Sequence, residues 1–109
     1  MAINYKNYLT SNIGTTFTTV FNPTATGAQT TVIGLFLSNN TTAPITANVT
    51  LTSGATTANV VRNAVIYAGT SLNVIDSAKL IVEQNDVVQV NCSDTGAGAD
   101  VIVSTVEVT

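Results

Sequence analysis

Few groups in this chain can do acid–base, nucleophilic or metal chemistry. It has no histidine, a single cysteine, three cations (Lys6, Arg62, Lys79) and six carboxylates (Asp76, Glu83, Asp86, Asp94, Asp100, Glu107). Without histidine the usual general base near neutral pH is missing, and so is the commonest nitrogen ligand for zinc. A cysteine nucleophile needs a base beside it. Cys92 instead sits in the alternating run Val88, Val90, Cys92, which marks a small buried hydrophobe. A serine–lysine pair would have to use Lys6 or Lys79, and Lys79 stands just before an apolar run, where an exposed strand-end lysine is expected. Asp94 and Asp100 bracket Thr95-Gly96-Ala97-Gly98-Ala99. Two carboxylates can hold Ca²⁺ or act on a glycoside. Calcium, however, wants about six to eight oxygens, and this spacing matches no EF-hand, so a solvated hairpin loop is expected. The glycines of that loop do not open a helix, as a dinucleotide-binding loop must. The expectation is a protein that is not an enzyme, with no catalytic residue, metal or cofactor.

Composition narrows the partners. The chain has 109 residues, the size of one domain, and a domain of this size buries only about 60–70% of its unfolded surface. Its core is therefore thin, and a partner surface would add to its stability. Charged residues are 8% of the chain and the net charge is −3, against a usual charged share of about 25%. Three scattered cations cannot neutralise a row of phosphates, so nucleic acid is not an expected partner. No run approaches the ~18 apolar residues of a membrane helix. The opening MAINYKNYLT lacks the apolar stretch of a signal peptide, so Asn39, Asn40, Asn48 and Asn91, each in an N-x-S/T triplet, are expected to reflect Asn and Thr abundance rather than glycan sites. One cysteine makes an intrachain disulfide impossible. The polar surface must come from Thr, Asn and Ser, and such a neutral surface can pack against other chains with little charge to desolvate.

The elements that position these residues are strands. Thr and Val dominate, both β-branched and suited to a pleated sheet, and apolar residues alternate rather than recur at helical spacing. Ile45 to Thr52 is the clearest half-buried strand, with Ile45, Ala47, Val49 and Leu51 on one face. Thr31 to Leu37 is apolar on both faces and reads as a central strand, with Gly34 marking a bulge or close approach. Further strands are expected at Thr15–Phe21, Ala58–Tyr67, Ser71–Ile75, Leu80–Val82, Val87–Cys92 and Val101–Val108. Turn signals separate them, among them Asn22-Pro23, Ser53-Gly54, Ala68-Gly69 and Asn85-Asp86. Glu83-Gln84-Asn85-Asp86 reads as a plain turn with no further role. Seven or eight short strands at this spacing predict an all-β chain: a single antiparallel β-sandwich, jelly-roll or immunoglobulin-like. The missing Trp and second Cys count against a true immunoglobulin domain.

The first residues differ in composition. Residues 1–12 are expected to form a short N-terminal arm and residues 13–109 the sandwich, the alternative being that the arm is an ordinary edge strand. Tyr5, Lys6 and Tyr8 are the candidate partner-binding residues, because tyrosine offers much contact area for little entropy and is enriched in interface anchors, and Lys6 can meet a carboxylate on a neighbour.

The segments INYKN, IGTTFTTVF, VIGLFLSN, ANVTL and LIVEQNDVVQV, followed by a Val-rich final strand, resemble a group of small virion structural proteins of tailed phages, many from cyanophages. The resemblance spans most of the chain. It includes a terminal hairpin in which Leu80, Val82, Glu83, Asp86 and Val88 match; Asn85 stands where the group has glycine, and can take the same left-handed turn position. It implies a β-sandwich built into the particle: most simply a capsid-decorating (cement) protein, a homo-oligomer (trimer or dimer) on the major capsid protein or other virion proteins, assembled in the host cytoplasm. The alternative is a neck, tail or fibre component, with possible contact to host glycan.

Overall fold

A computed structural model describes residues 3–27, 29–75, 79–95 and 98–108. Among them are nine strands and no helix: β1 Ile3–Ile13, β2 Thr18–Phe21, β3 Gln29–Asn39, β4 Ile45–Ser53, β5 Thr56–Ile66, β6 Ser71–Asn73, β7 Leu80–Glu83, β8 Val87–Cys92 and β9 Ala99–Val108. Each strand expected from alternation is present, with ends shifted by a few residues. Asp76, Gly96 and Ala97 lie outside the described residues.

All strand pairs are antiparallel. The pairing is nested: β1 lies beside β9, β2 beside β8, β3 beside β7, and β4 beside β5. The chain is in effect one long hairpin with its tip at Gly54-Ala55, between the paired Ser53 and Thr56. Gly54 has φ +61, the left-handed backbone that tight hairpin tips require. Successive pairs fall alternately in two layers. Sheet A has the order β1-β9-β3, with β6 and β7 end to end along the far edge of β3; sheet B has the order β2-β8-β4-β5. This winding is a jelly roll, so the jelly-roll arrangement, not the immunoglobulin-like one, describes the sandwich.

The core follows from period-two alternation. Leu35 and Leu37 of β3, Val101 and Val103 of β9, Val49 of β4 and Val88 and Val90 of β8 all point between the sheets and are fully buried. Cys92 is among them, a free buried thiol. The bulge expected at Gly34 is present: the β3–β9 register shifts between Val32 and Gly34. A Cβ at Gly34 would lie 3.1 Å from the Phe36 ring, so the ring packs over the bare backbone. A buried polar side chain also ties the two layers. Asn39, at the end of β3 in sheet A, is 4% exposed and donates to the carbonyls of Ala43 and of Ile66 in sheet B.

Of the two readings of the first residues, the structure draws the edge strand. β1 pairs with β9 continuously from Ile3↔Val108 to Thr10↔Val101, then bulges before Ile13↔Ala99.

Candidate functional site

The candidate site is the outer face of sheet A. In β1 the odd-numbered residues from Ile3 to Leu9 face outward, and their partners on β9 are even-numbered. Register then builds rows across the sheet. One runs Tyr5–Val106–Thr31–Ile81, the next is the polar row Asn7–Ser104–Gly34, and the third is Leu9–Ile102–Phe36. Tyr5, Leu9 and Ile81 are 76%, 70% and 59% exposed, and Ile3, Phe36 and Ile102 are also exposed. Two carboxylates stand at the ends of this face, Glu83 opposite Gln29 and Asp100 opposite Ser38.

The outer face of sheet B is different in kind. Its central row reads Thr19–Gln89–Thr50–Asn59, and its amides bond one another. Asn48 donates to Asn91 at 2.9 Å, and Gln89 to Thr19 at 3.3 Å. Sheet A exposes more large apolar side chains than sheet B, in two rows on either side of a polar one, while on sheet B Val65 of β5 is exposed. Contiguous exposed apolar surface marks an interaction site, whereas scattered exposed hydrophobes do not.

Three of the edge strands carry or adjoin a cation. Lys6 is in the middle of β1, Arg62 in the middle of β5, and Lys79 directly precedes β7. These strands are edges of the two sheets, and all three cations are exposed. A cation on an edge strand opposes pairing with another chain; the edge strands β2 and β6 carry none.

Alternation separates the three sequence candidates. Tyr5 is on the outer face. Lys6 and Tyr8 are on the inner side of β1, opposite Thr105 and Val103. Tyr8 packs on Phe21, with ring centroids 4.9 Å apart at 50°, and its hydroxyl donates to Glu107 Oε2. Leu9, Ile81 and Ile102, the other anchors of the face, were not singled out in the sequence. The available signal was the double-sided apolarity of Thr31–Leu37, which fits a central strand equally well. Among the described residues no three of His, Cys, Asp and Glu gather, and Asp100 Oδ1 accepts the Asn12 amide at 3.2 Å.

Desolvation first, then the hydrogen bond to Glu107 and that carboxylate's charge, push Tyr8 up from 10.0 to about 12. The neutral phenol is thus favoured in the folded chain. Its contribution to stability is complete below pH 10 and is lost as pH rises through about 12. Urea midpoints below pH 10 and near pH 12 are expected to fall further for the parent than for Tyr8→Phe. Equal falls would assign the alkaline loss to other groups.

The turn at 83–86 also has a role that its sequence did not reveal. Asn85 has φ +70, as its place in the turn required. Asp86 is 5% exposed, and its Oδ2 accepts the Glu83 amide at 2.9 Å. The turn braces the neighbouring loop: the Asn85 amide donates to the Pro23 carbonyl, the Gly27 amide to Gln84 Oε1, and Asn22 Nδ2 to the Asp86 carbonyl.

No family model and no curated protein matches this chain. Among solved structures it is similar to that described as "Bacillus endospore appendages form a novel family of disulfide-linked pili", at 18% identity and TM-score 0.57, over 98% of this chain and 88% of that one. A pentameric capsid protein from metagenomic phage sequences aligns at 22% identity and TM-score 0.45, over 90% of this chain and 59% of that one. A structure of infectious bursal disease virus, Gx strain, aligns at 12% identity and TM-score 0.44, over 97% and 31%. The first of these likenesses shows a shared fold. The other two, at their lower scores, add nothing to it.

Proposed function

We propose that this chain is a structural subunit of a phage particle, a capsid-decorating protein that docks on the major capsid protein through the outer face of sheet A. The observation that carries the reading is the larger share of exposed apolar side chains on sheet A (Ile3, Tyr5, Leu9, Phe36, Ile81, Ile102) against the Thr/Asn/Gln lattice at the centre of sheet B. The sequence resemblance to small phage virion proteins supports the same role, since the jelly roll itself hosts many functions.

The energetics suit a lattice. Four strands ~4.8 Å apart and about nine residues long at ~3.3 Å each present about 550 Å² in projection. A standard interface takes about 800 Å² from each partner, so a single copy holds weakly. Many copies, or a homo-oligomer engaging several capsid sites together, hold firmly through effective concentration. The absence of charge at the centre of the face keeps desolvation cheap.

Two measurements on purified particles test this. Quantitative mass spectrometry is expected to find on the order of hundreds of copies, as symmetric coverage of a head requires; a few tens or fewer would shift the assignment to the neck, tail or fibre. Leu9→Lys, at a site already exposed, is expected to keep the parent melting temperature. Burying its charge costs several kcal/mol per contact, so the variant should be lost from particles by more than about 100-fold. Normal incorporation of a folded Leu9→Lys chain would remove sheet A from the docking role.

A further inference from the structure

On the side where sheet B is closed by the short strand β2, the long strands of sheet A are only partly covered by strands. β1, β9 and β3 run ten or eleven residues, whereas β2 has four. The inner face of sheet A beyond Phe21 is therefore covered by the loop that follows β2, and a groove of about 670 Å³ lies between them. Tyr8, Phe21, Glu107 and Val108 line it from the sheets, and Pro23 and Thr26 line it from the loop.

Glu107 is the odd residue in this setting. It faces inward on β9, next to the core, and is half-buried. Its Oε2 accepts from Tyr8 and from Thr105 at 3.0 Å, two neutral hydroxyls that bring no positive charge. Lys6, across from Thr105 on β1, is not among the residues that line the groove. Among the described residues no other ionisable acid or base lines it except the Tyr8 phenol.

The wall is built in advance. Three hydrogen bonds from the 83–86 turn hold the loop at Asn22, Pro23 and Gly27. The volume falls within the ~300–1,000 Å³ of small-ligand sites, and the site has few polar groups that converge. A slender apolar stem fits against Phe21 and Pro23. A cation at its head meets the Glu107 carboxylate, and the Tyr8 and Phe21 rings offer cation–π contact.

We infer that this groove binds an ammonium or guanidinium group on an aliphatic stem, with Glu107 as its counter-ion. The cation-binding groups Tyr8 and Glu107 face the side of sheet A opposite to Tyr5, Leu9 and Ile81, so either site can fail without the other.

Amide NMR of the full chain tests it, with N-acetyl-lysine methylamide as the probe and N-acetyl-norleucine methylamide as its uncharged isostere. Saturable shifts are expected at the amides of Gly27, Gln29 and Val108, with a Kd of a few millimolar. Norleucine should bind at least about tenfold more weakly, as should lysine to Glu107→Gln, which keeps an oxygen to accept both hydroxyls. Unchanged spectra at the groove, or norleucine binding as well as lysine, would overturn the inference on the parent chain alone, whatever the variant does. Butylamine distinguishes the source within the supporting outcome. Affinity equal to that of blocked lysine points to a free amine, and weaker affinity points to a side chain presented on a polypeptide.

Discussion

A chain beginning at Ile13 is expected to aggregate instead of folding to a soluble sandwich. Removing β1 takes the partner from β9 along Ile3↔Val108 to Thr10↔Val101. About eight ladder bonds go, at about 0.5–1.5 kcal/mol net each, but the ordering entropy of β1 goes with them, so their sum overstates the loss. The newly exposed edge of β9 decides the outcome. Ala99–Val108 reads ADVIVSTVEV, long and Val-rich, with no cation. Lys6, the guard on the present edge, is deleted with the strand. An unguarded apolar edge recruits other chains. Light scattering at micromolar concentration is the readout, and Ile102→Lys in the shortened chain, which returns a cation to the edge, should restore solubility. If instead the shortened chain is soluble, melts cooperatively and merely fails to enter particles, residues 1–12 are a docking arm as their composition suggested, and the edge argument fails.

Asn39→Ala is expected to lower the melting temperature by about 10–25 °C. The side chain is a four-bond joint: Nδ2 donates to the Ala43 and Ile66 carbonyls at 2.9 Å each, and Oδ1 accepts the Thr41 amide at 2.8 Å and its hydroxyl at 2.7 Å. The Ile66 end is buried, so its carbonyl loses its side-chain donor without water to replace it. Stranding such groups costs about 2–4 kcal/mol in total, out of the roughly 5–15 kcal/mol that holds a domain together. For a chain of this size each kcal/mol is worth about 4–8 °C. Thr41→Val removes only the outer part of the joint and should cost roughly 1 kcal/mol. Thermal melts followed by circular dichroism measure both. A change of less than about 3 °C in Asn39→Ala would mean that the link between the layers contributes little.

These predictions draw on different kinds of information. The strands were legible because alternation is local: Ile45 to Thr52 shows its buried face in eight residues, and the β-branched content repeats the message. The turn positions were legible for the same reason, since Asn85 and Gly54 answer to backbone conformation alone. Residues 1–12 were ambiguous because an edge strand has one paired side and two partly solvated faces, so its alternation is weak. Tyr8 looked like an interface anchor because its real partners, Phe21 and Glu107, lie far away in the sequence, Glu107 by 99 positions.

By itself the sequence determined an all-β chain of short antiparallel strands, with a thin apolar core and an almost uncharged surface. Those properties depend on residue type and on a period of two, which a chain carries before it folds. Only the tertiary structure decided which of the two apolar faces of Thr31–Leu37 meets the core and which meets solvent. Alternation assigns residues to faces but not to layers. It also decided that β1 closes against β9, that the 83–86 turn braces a loop sixty residues earlier, and that Glu107 faces a groove. Each of these depends on how unequal strand lengths stack in two sheets, a property of the assembled layers that no stretch of the chain carries alone.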